Sequence, residues 1–149
     1  RLQKLGEENG RMVYRDFAHA PSKLKATLEA VKEQHPDAAV YAVIELHTFS
    51  SLNKDFLPQY AHTMDSATEA YAYYNPQVVA HKKLATLESS DLVIGFARPD
   101  LKVYTDSQQL FADLQQGKSG KAVFLLMSSG NFNGTDFSTL SQNLLQAKG

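Results

Sequence analysis

Residues 38–46 read AAVYAVIEL, a nearly unbroken apolar run with turn residues at both ends. A run of that length and character predicts a central strand covered on both faces, since a strand with one wet face alternates polar and apolar residues. Residues 122–127, AVFLLM, repeat the signal. Around these two strands, extended stretches alternate with helical periods. That order predicts an α/β domain with a mostly parallel sheet, helices on both faces and right-handed crossovers.

Working towards the N-terminus, residues 1–7 and 11–17 flank Glu8-Asn9-Gly10. Asn-Gly between extended runs predicts an antiparallel hairpin, because both residues tolerate positive φ. Pro21 suits the first turn of a helix. Leu24, Leu28 and Val31 give that helix one buried face, with Lys23, Lys25, Glu29 and Lys32 in water and His35-Pro36-Asp37 at its end. Towards the C-terminus a helix is expected over about 54–63, a strand over 67–74 broken by Asn75-Pro76, and a short helix over 89–96. Residues 77–88 carry no assignable period. A short strand follows at 102–104, then a helix whose start reads as a Thr105/Gln108 capping box, with Leu110, Phe111 and Leu114 inward. Gly117 to Gly120 turn the chain into 122–127. A last helix is expected from about Asp136, with Phe137, Leu140 and Leu144 facing in.

The chain has 149 residues, 43% of them hydrophobic and 21% charged. This is the composition of one globular domain with a core of useful size. A net charge of -1 lacks the basic surplus that nucleic acid would select. With zero cysteines there is neither a disulfide nor a thiolate zinc site, which fits a reducing, cytoplasmic compartment. No apolar run has the length to cross a bilayer and no leader pattern is seen, so no membrane partner is expected. Arg1 in place of Met predicts a piece of a longer chain.

In a parallel sheet the loops at the carboxyl ends of the strands share one edge, where ligands bind. Three polar loops converge there: 16–21, 47–53 and 128–134. By residue type, Asp16 can cap the following helix or accept from ribose hydroxyls. Phe17 can pack or stack on a base, and His19 can pack at the helix start or meet a phosphate or carboxylate. His47 and Ser50 are possible donors to an anion, although no acid is paired with His47. Gly130 to Gly134 either make tight turns or let backbone N–H groups approach a ligand at the start of the last helix. His81-Lys82-Lys83 reads as a solvated face or as a contact for a charged substrate. Gly117-Lys118-Ser119 imitates the tail of a P-loop, but Ala112 stands where its first glycine belongs, and the segment follows a helix rather than a strand. It is a turn. No set of His, Asp and Glu has metal-ligand spacing.

Taken together, RLQKLGE at 1–7, Asn9-Gly10 and Asp16-Phe17-Ala18-His19-Ala20-Pro21 resemble the opening of the C-terminal domain of the Mur ligases. These are ATP-dependent amide-bond synthetases of bacterial cell-wall assembly. Residues 26–30, Glu45-Leu46-His47-Thr48-Phe49-Ser50 and the stretch from Met127 to Gly134 extend the resemblance over essentially the whole chain. It implies a Rossmann-like third domain, spanning 1–149, of a three-domain enzyme. ATP and Mg2+ would be bound mainly by the two preceding domains, which are also its expected partners. Asp16 and Phe17 would lie near the adenosine, and His19 near the nucleotide or the acceptor. His47, Ser50, Gly130, Asn131, Asn133 and Gly134 would face the incoming substrate. No catalytic residue and no metal ligand is expected on this chain itself.

Departures narrow the choice within the family. Ligases that add L-alanine usually follow this histidine with two arginines, which Thr48 and Ser51 replace here. Neither side chain can reproduce a carboxylate-gripping guanidinium fork. Ala20 also replaces a second histidine common to both branches and so does not separate them, whereas the ending from Met127 to Gly134 resembles the recycling branch. The resemblance then implies the branch joining the murein tripeptide L-alanyl-γ-D-glutamyl-meso-diaminopimelate to UDP-N-acetylmuramate in cell-wall recycling. The L-alanine-adding enzyme is the alternative. A Rossmann-like binding module with no catalytic partner domain is the alternative of another class.

Overall fold

The computed structural model describes residues 1–146. Strand β1 (Gln3–Glu8) and strand β2 (Arg11–Asp16) form the expected antiparallel hairpin. Its turn places Asn9 and Gly10 at φ +54° and +77°, the left-handed pair that an Asn-Gly hairpin requires. Helix α1 (Pro21–Gln34) follows, then β3 (Ala39–Leu46), β4 (Glu69–Tyr74), α2 (Pro76–His81) and α3 (Ser89–Gly95). The chain continues through β5 (Lys102–Tyr104), α4 (Ser107–Leu114), β6 (Ala122–Met127) and α5 (Phe137–Gln146). The sheet order is β1-β2-β6-β3-β4-β5, and every pairing except β1 with β2 is parallel. The α/β architecture read from the sequence is therefore the one the molecule adopts.

The two most apolar strands, β6 and β3, sit side by side in the middle of the sheet. Alternate residues of each serve opposite faces. Val40, Ala42, Ile44 and Leu46 join Leu24, Leu28 and Val31 of α1 and Leu92 of α3 in one core. Tyr41 and Val43 join Leu110 and Leu114 of α4 and Leu140 and Leu144 of α5 in the other. A continuous apolar run is needed because both faces of β3 are roofed by helices.

Three expectations change. Residues 54–63 form no α-helix: a single 3-10 turn occupies Leu57–Tyr60. The bonds there run from Phe56 N to Asn53 O, Leu57 N to Lys54 O and Gln59 N to Phe56 O, all three residues apart. Pro58 has no N–H to start an α-helical ladder, and the Asn53 side chain takes the Asp55 N–H instead. The start of α4 is capped by Asp106 rather than Thr105, with its carboxylate accepting from Gln108 N at 2.9 Å and Gln109 N at 3.4 Å. Lys32 is half-buried, since its ammonium bonds Ala38 O and Pro36 O beyond the helix end. Within 77–88 the structure finds α2, whose start is capped by Asn75; His81 closes it.

The imitation P-loop is a turn. Gly117 and Gly120 lie at φ +67° and +77°, and the Lys118 ammonium is buried on Gln116 O at 2.7 Å. It has no free donor environment in which to cradle a phosphate. No helix is long and apolar enough to cross a membrane among the described residues.

Candidate functional site

The carboxyl ends of β2, β6 and β3 are adjacent in the sheet, so the loops at 17–20, 128–136 and 47–53 emerge side by side. β2 and β6 stay paired to their last residues, Asp16 opposite Met127, and Ser128 N then bonds Asp16 O at 3.0 Å. Arg15, one position earlier, points to the opposite face from Asp16. Its guanidinium lies 3.9 Å from the ring centre of Phe137 and 5.7 Å from that of Phe17, and it donates to Gly130 O at 3.4 Å. One arginine thus ties the first loop to the third.

Asp16 is 6% exposed. Its Oδ1 accepts from Ala18 N at 2.7 Å in a tight side-chain turn. It does not cap α1, whose N-cap is Ala20 without any side-chain bond. Phe17 is 58% exposed, far more than an aromatic recruited to a core. His19 Nδ1 lies 2.9 Å from Phe17 O. A carbonyl can only accept, so this contact assigns the proton to Nδ1 and turns Nε2 outward. The Tyr60 hydroxyl donates to His19 O at 2.5 Å, and its ring stacks on Phe96. Burial pushes the Tyr60 phenol up to about 12, so it stays a donor at any physiological pH.

On the central loop His47 and Ser50 are exposed. Thr48 and Ser51 close on one another: Thr48 Oγ1 donates to Ser51 Oγ at 3.0 Å, and Ser51 N donates to Thr48 Oγ1 at 3.2 Å. Ser51 is 2% exposed. These two positions build the turn and present no donor fork to solvent.

The third loop is organised from below by Glu45 of β3. Its Oε1 accepts from the Ser128 hydroxyl and from Phe132 N, the latter at 2.9 Å. Ser128 Oγ in turn takes Gly130 N at 2.7 Å. A Cβ at Gly130 would stand 3.1 Å from Glu45 Oε1 and 3.2 Å from His47 Cδ2, so the second and third loops touch here. Gly134 N goes to Asn131 Oδ1, and the Ser138 and Thr139 amides go to Asp136 Oδ1. The amides of Gly130, Phe132 and Gly134 and the capped start of α5 are thereby committed to the chain's own oxygens. Bonding from Thr139 and Ser138 holds the Asp136 carboxyl below its ordinary value.

Two openings adjoin this edge on the α4–α5 side. One, of about 490 Å³, lies between α4, α5 and residues 133–136, and the other, of about 420 Å³, lies over Tyr73, Asn75 to Gln77 and Thr105 to Ser107. They share Asp106, Ser107 and Asn133 as walls, and neither is lined by a Lys, Arg or His among the described residues. Asn133 and Gly134 are the expected site residues that reach these walls; Asp16, Phe17, His19, His47 and Ser50 lie outside both. The surface they share is an open edge, with Phe17 and Phe49 both more than half exposed on it. Among the described residues no group of three His, Asp or Glu can hold a metal ion. Phe17 presents an exposed ring at this edge, and the Asp16 carboxylate beside it is buried.

Sequence reading passed over Arg15, Glu45 and Ser128. Glu45 was detectable as the one acid inside an otherwise apolar strand, a residue type seldom buried without a role. Arg15 carried no such mark, because its partners come from residues 130 and 137.

The family model described as Mur ligase, glutamate ligase domain, matches residues 1–130. The UDP-N-acetylmuramate--L-alanine ligase of Lactococcus lactis subsp. cremoris (strain MG1363) is 28% identical over 132 residues, covering 87% of this chain and 27% of that protein. The chain thus spans about a quarter of the length of the curated relatives it matches. A solved domain attributed to a UDP-N-acetylmuramate:L-alanyl-γ-D-glutamyl-meso-diaminopimelate ligase of Haemophilus ducreyi 35000HP superposes with a TM-score of 0.64 at 24% identity, covering 99% of this chain and 98% of that one. The murein peptide ligase of Psychrobacter arcticus 273-4 gives 0.61 at 22% identity, covering 95% of this chain and 28% of that one. At these identities the two structures establish a shared fold.

Proposed function

The chain belongs to the Mur ligase family, as its glutamate ligase domain, and from that premise we propose that it is the nucleotide- and acceptor-positioning part of an ATP-dependent ligase joining the murein tripeptide to UDP-N-acetylmuramate. The observation that carries the reading is the coupled edge: the loops at 16–19, 47–51 and 128–134 are tied together by Arg15 and by the Glu45–Ser128 bond. A rigid edge built from three loops suits orientation, in which the gain comes from holding reactants in line. In this role Phe17 stacks on the adenine, Asp16 accepts from a ribose hydroxyl, and His19 offers Nε2 to the nucleotide or the acceptor. His47, Ser50 and the 130–134 loop face the acceptor peptide. ATP supplies the phosphoryl group that activates the sugar carboxylate. It and Mg2+ are assigned mainly to the preceding domains, since this chain carries neither a phosphate cradle nor a ligand cluster among its described residues. In the cytoplasm the products would be the amide, ADP and phosphate.

The tripeptide is favoured over L-alanine by Thr48 and Ser51, which are locked into their own turn and leave no fork for a small carboxylate. L-Alanine remains the second reading, because three of the curated relatives that match, all from Lactococcus lactis, are L-alanine ligases. The deciding experiment gives the full-length protein ATP, Mg2+ and UDP-N-acetylmuramate with either amine and follows phosphate release and product mass. Turnover with the tripeptide at a kcat/KM at least tenfold above that with L-alanine is expected. The reverse preference would install the L-alanine reading, and no ATP-dependent amide from either amine would leave a binding module.

A further inference from the structure

Glu45 is the one charged side chain on the central strand β3, and it is 3% exposed. Removing a carboxylate from water is costly unless a cation or a set of hydrogen bonds replaces the hydration. Among the described residues no Lys, Arg or His pairs with it. Both of its hydrogen bonds, from the Ser128 hydroxyl and the Phe132 N–H, fall on Oε1. No hydrogen bond among the described residues reaches Oε2. That oxygen is not sealed either, since the sealed and unpartnered side-chain polar atom among those residues is Arg11 Nη2. A buried carboxylate thus keeps one oxygen without a partner near the carboxyl end of the central strand, while its bonded Oε1 lies against Gly130 beside His47. Its charge repels phosphate and carboxylate groups, and the partner that suits it best is a cationic donor.

We infer that Glu45 is a specificity-determining residue that receives the ammonium group of the amine acceptor. This rests on the amide-ligase reading above. Oε1 fixes the loop and Oε2 is left for the ligand, so one side chain both shapes the acceptor edge and selects for an amine. The contact is made with the protonated amine as it binds. Formation of the C–N bond needs that proton gone, and no proton transfer is assigned to Glu45. The effect of losing the charge accordingly falls on acceptor binding.

The test uses the full-length protein and the substitution E45Q, which keeps an oxygen for Ser128 and the Phe132 N–H while removing the charge. Wild-type turnover with an amine tests the amide-ligase reading; the comparison between wild type and E45Q tests this assignment. The acceptor KM is expected to rise about tenfold or more in E45Q, the size of one lost charge-assisted hydrogen bond, with kcat and the KM values for ATP and UDP-sugar within about twofold. A second arm uses a tripeptide analogue with propionyl in place of L-alanyl, which lacks the attacking amine, as an inhibitor. It should bind wild type at least about tenfold more weakly than the tripeptide and E45Q about as well as the tripeptide does, closing a ligand–mutant cycle. An unchanged acceptor KM, a rise in the KM for ATP instead, or wild-type binding of the analogue as tight as that of the tripeptide would each overturn the assignment. The last arm needs no variant, so poor folding of E45Q does not protect the idea.

Discussion

The Asp136 carboxylate shows how much of this edge depends on single side chains. It stands before α5 and accepts from the Ser138 and Thr139 amides and from the Thr139 hydroxyl. Those bonds favour the ionised form and hold its carboxyl below the ordinary range. A group depressed in the folded state contributes stability that is present above its unfolded pKa and is lost as pH falls through the folded one. D136A should therefore melt below wild type at pH 7, and the gap should close as pH drops below about 4, where an unperturbed Asp protonates. Thermal melts of both proteins across that range decide it; a gap independent of pH would mean the cap acts without its charge. The acid was legible as a helix start from its position alone. Arg15 was not, nor were the partners of Glu45, because the groups these two residues hold lie 115 and 83 residues away in the chain.

Among the elements, the segment 54–63 and helix α3 explain each other. Leu57, Tyr60 and Met64 are buried at a spacing that also suits an α-helix, yet Pro58 and the Asn53 side-chain turn keep the segment in three-residue steps. The resulting 3-10 turn lies flat against α3, where Gly95 meets Leu57. A Cβ at Gly95 would stand 2.8 Å from Leu57 Cβ and 3.0 Å from Leu57 O, closer than real contacts allow. Helix propensity alone favours Ala over Gly by about 1 kcal/mol. Overpacking a close backbone approach costs about 1–3 kcal/mol and acts in the opposite direction. Gly95→Ala is thus expected to destabilise by up to about 2 kcal/mol in urea unfolding, and a stabilised variant would show that the two elements can separate cheaply. Periodicity found α1, α4 and α5 because each buries a stripe of leucines. It could not find a 3-10 turn, whose burial pattern over four residues is shared with other structures.

At the scale of the molecule, the carboxyl edge is open, and the two openings beside it are lined by no Lys, Arg or His among the described residues. The isolated chain should fold and yet make no amide from ATP, UDP-N-acetylmuramate and either amine. Phosphate release coupled to amide formation by this chain alone would contradict the division of labour proposed above. What the amino-acid order determined unaided was the α/β class, the two central strands, the Asn-Gly hairpin and the gathering of three polar loops on one edge. Each follows from local chemistry: apolar runs need two covered faces, Asn-Gly tolerates positive φ, and parallel strands send their following loops the same way. What tertiary structure alone decided was how those loops engage one another. Arg15 reaches Gly130, Glu45 anchors Ser128 and Phe132, and the amides that looked available to a ligand are taken by Glu45, Ser128 and Asn131. Polar pairing of this kind depends on distances across the sheet, and neighbours in space there are strangers in sequence.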